Sequence, residues 1–190
     1  MLKKEVFLPK VSTLARMRKK IEIMAPAGSF ESLNAAIQAG ADAVYFGVGN
    51  LNMRARSTVN FTIEDLEQIT TLCQQHQVRT YLTVNTIIYP EETTAVSELL
   101  TAAKKAGVSA IIASDWAVIS EAQKLGLKLH VSTQCNITNL EAVRFYARYA
   151  DVMVTARELN LKQVEEIVDG IRREQIIGPS GEMVKIEVCQ

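Results

Sequence analysis

Short apolar segments alternate with longer amphipathic segments along the chain from residue 21 onward. The short segments are rich in β-branched residues and are apolar throughout, which is typical of strands buried on both faces. Between them, apolar residues recur at helical spacing, and strands joined by helices of about three turns must run parallel. The pattern predicts an α/β domain with strands at Ile21–Met24, Ala43–Phe46, Arg79–Val84, Ala110–Ala113, Lys128–Ser132, Val152–Val154 and Val184–Val188.

Polar capping residues, prolines and glycines predict where six helices begin and end. The expected boundaries are Ser29 to about Ala39, the Thr62 and Asp65 capping box to about His76, Pro90 to Gly107, Asp115 to Leu125, a start at Thr138 with Glu141, and a start at Asn160 with Gln163.

An internal sequence repeat favours a barrel over a doubly wound sheet. Residues Ala39–Tyr45 and Ala106–Ile112 share a helix end, an Ala-Gly pair and an apolar strand, as repeated βα units do. A doubly wound dinucleotide fold needs a glycine-rich loop after the first strand, whereas Pro26–Ser29 contains a proline and one glycine. We therefore predict a (βα)8-type TIM barrel that is incomplete, with about seven strands and six helices.

Chain length bears on closure of this barrel. An eight-stranded barrel typically takes about 250 residues, and this chain has 190. The first and seventh strands would then be unpaired edges, which proteins normally cover. We expect either that a partner closes the barrel, with self-association through the edge strands as one possibility, or that the sequence is a fragment.

Charge is balanced overall but uneven along the chain, with 21 basic and 21 acidic residues. Residues 1–20 hold seven Lys or Arg and only Glu5 as an acid, so we interpret them as a flexible basic leader, with Met17 as an alternative start, and 21–190 as a truncated βα-barrel domain. No apolar run approaches the roughly 20 residues of a membrane span. Three widely spaced cysteines form no disulfide framework. These features predict a cytoplasmic protein without a membrane partner.

Polar residues follow most of the predicted strands, which is where chemistry gathers in βα barrels. We expect them to lie on one face. The candidate catalytic residues are Asn85, Asp115, Gln134 and Glu158, and the candidate substrate-binding residues are Arg54, Arg56, Thr133 and Arg157. Arginines suit a dicarboxylate or phosphate because the guanidinium group forms paired hydrogen bonds. No metal-ligand spacing is present.

Each candidate also has a structural explanation. Asp115 can cap a helix, Arg157 and Glu158 can form a surface ion pair, and residues 133–136 can form a turn. His76 and His130 lack a nearby nucleophile pattern and are interpreted as structural. Cys73 is expected in the core, whereas Cys135 is a possible reactive thiol.

A series of segments, taken in order, resembles the collagenase-like peptidase family U32. They are Met24–Ser29, Ala39–Tyr45, Asn60–Thr62, Val84–Thr86, Ser132–Gln134 and Ala156–Leu159 followed by Leu161. The resemblance runs from about Ile21 to Val188. It implies an activity similar to that of members that hydroxylate RNA bases or quinone precursors by radical-type chemistry with an iron–sulfur cluster, the RNA enzymes using prephenate as a donor.

The chain departs from the family after the seventh strand. Family members continue there into a His-Gly-Ala-Leu-Cys motif and further cluster-binding cysteines, whereas this sequence reads Glu187–Gln190. No ligand role passes to Cys189, and three scattered cysteines cannot replace four thiolates. We expect no cofactor on this chain alone and an iron–sulfur cluster in the full-length protein.

Three functions stay open at this point. The first is the N-terminal barrel part of a prephenate-dependent tRNA or rRNA hydroxylase, whose partners would be RNA or a small dicarboxylate donor. The second is a collagenase-like peptidase, and the third is a non-catalytic fragment with a binding role.

Overall fold

The computed structural model describes residues 21–53 and 61–188. The predicted leader 1–20, the loop arginines Arg54 and Arg56, and Cys189 lie outside the described residues. The strands are β1 Met24–Pro26, β2 Ala43–Gly47, β3 Arg79–Val84, β4 Ala110–Ala113, β5 Leu129–Val131, β6 Val152–Val154 and β7 Lys185–Glu187. The helices are α1 Phe30–Gln38, α2 Leu66–Gln75, α3 Thr93–Ala106, α4 Trp116–Lys124, α5 Leu140–Tyr146 and α6 Leu161–Glu174.

The seven strands form one parallel sheet in chain order, from β1 to β7. Each strand pairs with its neighbours in sequence, for example Tyr45 with Tyr81 and Ile112 with His130. The sheet curls as part of a barrel, and β1 and β7 are the edge strands of the described chain. This confirms the α/β prediction of an incomplete TIM barrel with seven strands and six helices.

The main core lies between the sheet and its helices. Strand side chains on the outer face, such as Phe46, Leu82 and Ile111, are fully buried beneath helix residues that include Ile69 and Leu100. Burial of each such side chain stabilises the fold by about 1.5–3 kcal/mol. This packing holds the strand ends in fixed positions.

A smaller and more polar layer lines the inner face of the curl. Ala43, Tyr81, Ala110 and Ile112 form its buried part. The Tyr81 hydroxyl donates a 2.5 Å hydrogen bond to Glu22, which also pairs with Arg79 at 2.8 Å. Burial, reinforced by this bond, raises the pKa of Tyr81, so its hydroxyl stays protonated as a donor.

Strand β1 begins later than its apolar sequence indicates. The predicted bounds Ile21–Met24 are wrong, because the strand is Met24–Pro26 and Met24 pairs with Ala43. Ile21 and Ile23 are exposed. An edge strand has a neighbour on one side only, so apolar residues at its start find no second strand to bury them.

Three helix starts also differ from the prediction. Helix α3 begins at Thr93 rather than Pro90, because Pro90–Glu92 form a separate 3₁₀ turn before it. Helix α5 is capped by Asn139 rather than Thr138, because the Asn139 side chain accepts a 2.9 Å hydrogen bond from the Ala142 N–H. Helix α2 begins at Leu66, since Asp65 accepts the N–H and hydroxyl of Thr62 and holds residues 63–65 in a turn.

Several other boundary signals are confirmed, while β5 and β7 are each one residue shorter at both ends than predicted. Asn160 and Gln163 form the predicted reciprocal capping box of α6. Gly40 and Gly107 both adopt left-handed backbone, with φ of 81° and 79°, which only glycine adopts without strain. The repeated Ala-Gly pair is therefore a repeated helix terminus that turns the chain into the next strand.

Candidate functional site

The candidate residues of the described chain share one edge of the sheet. Because all strands are parallel, their carboxyl ends meet at the same edge, here called the C-terminal edge. The residues that follow β3, β4, β5 and β6 are Asn85, Asp115, Thr133 with Gln134, and Arg157 with Glu158. The backbone thus brings six of the eight predicted residues to one edge, and the other two, Arg54 and Arg56, lie outside the described residues.

Asn85 is the hub of a hydrogen-bond network at this edge. Its Nδ2 donates to Ser132 Oγ at 3.1 Å, and its Oδ1 accepts from the Met53 N–H at 3.1 Å. Its backbone carbonyl accepts from the Ser114 hydroxyl at 3.1 Å. Asn85 therefore joins the connection after β2 to the ends of β3, β4 and β5, and its side chain acts to position these elements.

The Asp115 carboxylate accepts hydrogen bonds from two backbone N–H groups. One oxygen accepts from the Ala117 N–H at 2.8 Å and caps α4. The other accepts from the Ile88 N–H at 3.2 Å and ties the β3–α3 connection to the same point. The capping explanation of Asp115 is thus observed, with each oxygen already engaged.

Ser132 is a site residue that sequence reasoning did not single out for a role. It is buried, and its hydroxyl accepts from Asn85 and, at 3.4 Å, from the Gln134 N–H. Thr133 donates from its hydroxyl to the Thr155 carbonyl at 3.3 Å. The only local signal was a serine at the end of a buried strand, which does not reveal a partner 47 residues away in sequence.

Asn52 was also missed. It is 1% exposed and donates from Nδ2 to the Gly49 carbonyl at 3.1 Å. A Cβ atom on Gly47 would lie 2.3 Å from Asn52 Cγ, so the glycine leaves the room that the amide occupies. This contact fixes the start of the connection that leads to Arg54 and Arg56.

Three candidate side chains remain open to solvent. Gln134, Arg157 and Glu158 are exposed, and their side chains make no hydrogen bond or ion pair with one another within the described ranges. The alternative explanation of Arg157 and Glu158 as a surface ion pair is therefore not observed in this part of the chain. A guanidinium, an amide and a carboxylate are available for a ligand at the ends of two adjacent strands.

The thiol of Cys135 is poorly suited to nucleophilic chemistry. Its Sγ donates to the Ser114 carbonyl at 3.7 Å, and burial raises its pKa, a bond with Tyr146 only partly opposing this. Burial and the same contact raise the pKa of Tyr146 to about 12. A thiol must be deprotonated to attack, so the sequence hypothesis of a reactive Cys135 finds no support.

Both histidines of the chain are described, and neither lies at the C-terminal edge. His76 caps the end of α2, at the opposite edge of the sheet. His130 is buried within β5 on the inner face, where its ring centroid is 4.5 Å from that of Tyr81. A cysteine–histidine or serine–histidine pair is thus not formed at the candidate site.

The described thiols do not fit an iron–sulfur cluster. Cys73 is buried in α2, where burial raises its pKa to about 11, and Cys135 lies on a different element with a raised pKa. Cluster ligands are thiolates. Across residues 21–53 and 61–188 no group of three or more His, Cys, Asp or Glu side chains is placed to hold a metal ion. None of the helices in these ranges is long and apolar enough to cross a membrane.

Comparison with known proteins gives a family match and close relatives. The model of peptidase family U32 matches residues 28–184. A collagenase of Porphyromonas gingivalis is 56% identical over 167 residues, which cover 88% of this chain and 40% of the relative. The tRNA hydroxylation protein P1 of Bacillus subtilis is 32% identical over 170 residues, which cover 84% of this chain and 40% of the relative. The chain therefore spans about two fifths of these proteins.

A solved structure supports the fold. The U32 peptidase Mk0906 superposes with a TM-score of 0.66 at 16% sequence identity, covering 89% of this chain and 67% of that one.

Proposed function

The chain belongs to peptidase family U32, and we propose that it is the N-terminal barrel part of a hydroxylase that modifies tRNA or rRNA bases with prephenate as the donor and an iron–sulfur cluster as the cofactor. Similarity to a tRNA hydroxylation protein over 84% of the chain supports RNA as the substrate class. Such a substrate would place the protein in the cytoplasm.

The observation that carries this proposal over proteolysis is the make-up of the C-terminal edge. Cysteine and serine peptidases need a nucleophile within hydrogen-bond reach of a base. Here Cys135 is held protonated against a backbone carbonyl, and both histidines lie elsewhere. The exposed guanidinium, amide and carboxylate groups suit ligand binding, and the described residues of this edge do not form an acyl-transfer site.

In this proposal the exposed side chains contact the reactants. The side chains that are hydrogen-bonded within the protein keep the strand ends in place. Arg157 binds a carboxylate of the donor, with Arg54 and Arg56 as further anion ligands. Gln134 and Glu158 contact the polar groups of the donor or base. Asn85 and Asp115 keep the strand ends at fixed spacing, and Thr133 retains only acceptor capacity because its hydroxyl proton is used.

The two described thiols do not suit a cluster, because burial raises the pKa of each and they lie on different elements. An iron–sulfur cluster would take its ligands from outside residues 21–53 and 61–188, and the expectation that this chain alone binds none stays a prediction. Iron and sulfide assays after anaerobic reconstitution of the purified chain test it. Stoichiometric cluster binding would contradict it.

Nucleoside analysis tests the proposed reaction. Deletion of the gene in its host should remove a hydroxylated nucleoside from tRNA or rRNA digests measured by mass spectrometry, and the native gene should restore it. Genes carrying Arg157→Lys or Glu158→Gln should restore less, because lysine lacks the planar fork and glutamine lacks the charge. Arg172→Lys, on the outer surface of α6, is the matched control. Unchanged nucleosides in the deletion strain would refute the proposal.

A peptidase is the second candidate, and the 56% identity to a protein named collagenase favours it. Purified protein incubated with collagen or gelatin separates the two. We expect no cleavage products. Cleavage that persists in the native protein and is lost on Cys135→Ser would instead establish a thiol peptidase, and a protein inactive in both assays would favour the non-catalytic binding role.

A further inference from the structure

A cluster of aromatic side chains lies on the surface between α4 and α5. We call Trp116, Phe145 and Tyr149 the aromatic patch. The Trp116 ring meets Tyr149 at 4.8 Å between centroids and Phe145 at 6.0 Å, both edge to face. Yet Trp116 remains 47% exposed and Phe145 39% exposed. The edge contacts fix the rings while leaving aromatic surface in solvent.

A cation accompanies these rings. The Arg148 guanidinium carbon lies 4.9 Å from the centroid of Phe145, and Arg148 makes no ion pair within the described part of the chain. Arg144, one turn earlier, is different, because it pairs with both Glu141 and Glu174. Arg148 is therefore the uncompensated positive charge beside the aromatic patch.

The patch begins next to the candidate site in the chain. Trp116 is the first residue of α4 and directly follows Asp115, whose carboxylate also binds the Ile88 N–H. The β3–α3 connection at Ile88 exposes Ile87 and Tyr89. Exposed apolar or aromatic side chains thus lie both in the connection that Asp115 binds and at the start of α4.

We propose that the aromatic patch binds unpaired bases of the RNA substrate by stacking, with Arg148 contacting the phosphate backbone. The inference rests on the proposed function for the identity of the substrate. Proteins recognise single-stranded RNA by stacking splayed bases on aromatic side chains and on arginine. The charge of Arg148 is complementary to phosphate, and the fixed rings lose little conformational freedom on binding.

The chain supplies its own probe for this interaction, since Trp116 is its sole tryptophan. Titration of the 190-residue chain with a single-stranded RNA of about 12 nucleotides should quench tryptophan emission. A blunt duplex of the same sequence should quench less, because its bases are already stacked on one another.

Substitutions locate the binding surface. With fluorescently labelled RNA, Trp116→Ala and Phe145→Ala should each weaken binding by about ten-fold, and Trp116→Phe should retain part of the affinity. Arg148→Ala should reduce the slope of log K against log salt by about one. Ile177→Ala and Arg172→Ala, at exposed positions on other elements, are the matched apolar and charged controls. Circular dichroism confirms that each variant is folded.

The results that would refute RNA binding at the aromatic patch differ from those that would refute the proposed function. RNA binding without tryptophan quenching, equal affinity of Trp116→Ala and the native chain, or no RNA binding at all would refute stacking at this surface. If the patch bound an apolar protein partner instead of RNA, the experiments would give these same results. Nucleoside analysis of the deletion strain tests hydroxylation separately, so either idea can fail while the other stands.

Discussion

The C-terminal edge of the sheet has two halves that differ in how their polar side chains are used. The bonded half consists of Asn85, Ser114, Asp115 and Ser132, whose side chains hydrogen-bond to one another or to backbone, including the Met53 N–H, across the ends of β2 to β5. The open half consists of Gln134, Arg157 and Glu158, whose side chains are exposed beyond β5 and β6. A shared edge therefore does not imply a shared role.

The bonded half stabilises the fold, whereas the open half is available to contact a ligand. A buried polar group that loses its partner pays the desolvation cost of about 1–3 kcal/mol, whereas an exposed side chain has water as an alternative partner. Substitutions in the bonded half should therefore change stability, and those in the open half should change ligand binding. The following measurements test this division in order of expected effect.

Asn85→Ala should have the largest effect. It removes a partner of the buried Ser132 Oγ and releases the exposed Met53 N–H, which can turn to water, so we expect the free energy of unfolding to fall by about 1–3 kcal/mol. Urea denaturation followed by circular dichroism measures it. Asn34→Ala, at an exposed position on α1, is the matched control and should cost far less. Equal losses in the two variants would remove the basis for a bonded half.

Gly47→Ala should destabilise the fold by about 1–3 kcal/mol through overpacking. The added methyl group would meet Asn52, which is buried and hydrogen-bonded and cannot swing away. The double variant Gly47→Ala, Asn52→Ala should cost less than the sum of the two single changes, because the clash is then removed. If the stability losses of the two single variants were additive in the double variant, the side chains at positions 47 and 52 would not interact.

These two positions also show where sequence reasoning stopped. The central strands β3 and β4 have the predicted bounds, because nearly all of their residues are buried and each strand has a neighbour on both sides. Strand β1 was misplaced because it is an edge strand. The contact between Asn85 and Ser132 joins residues that are 47 apart in sequence and that the curl of the sheet brings together. The packing of Asn52 against Gly47 depends on the path of the connection that follows β2. Neither periodicity nor capping rules encode those contacts, although they did place the strand ends at one edge.

Asp115→Ala should cost about 0.5–2 kcal/mol, the usual range for loss of a helix cap. The change also releases the Ile88 N–H, which can turn to water because the connection is partly exposed. Asp115→Asn retains an acceptor for the α4 cap and should recover much of the stability in the same urea experiment. If Asp115→Asn were as damaging as Asp115→Ala, the negative charge rather than the cap would be the property that matters.

Cys135 should react slowly with iodoacetamide. Burial raises its pKa, so the folded state keeps the thiol proton to a higher pH than the unfolded chain does. The stability that this contributes is complete below the ordinary thiol pKa of about 8.5 and is lost as pH rises above it. Alkylation resolved by peptide mass spectrometry should therefore be slower at Cys135 in the folded protein than in urea at pH 8. Rapid labelling at neutral pH would place Cys135 among the reactive residues instead.

The open half should show the smallest change in stability and the clearest change in binding. Arg157 and Glu158 leave no buried partner behind when truncated, so Arg157→Ala and Glu158→Ala should each shift the free energy of unfolding by less than about 0.5 kcal/mol. Loss of a guanidinium–carboxylate contact of about 1.5–3 kcal/mol should nevertheless weaken prephenate binding by roughly ten-fold or more for Arg157→Lys. Calorimetric titration of prephenate into the protein, with Arg172→Lys as the surface control, measures this. Equal affinities would leave Arg157 as an ordinary surface arginine, and the residues that bind the carboxylate would then have to be sought elsewhere at the C-terminal edge.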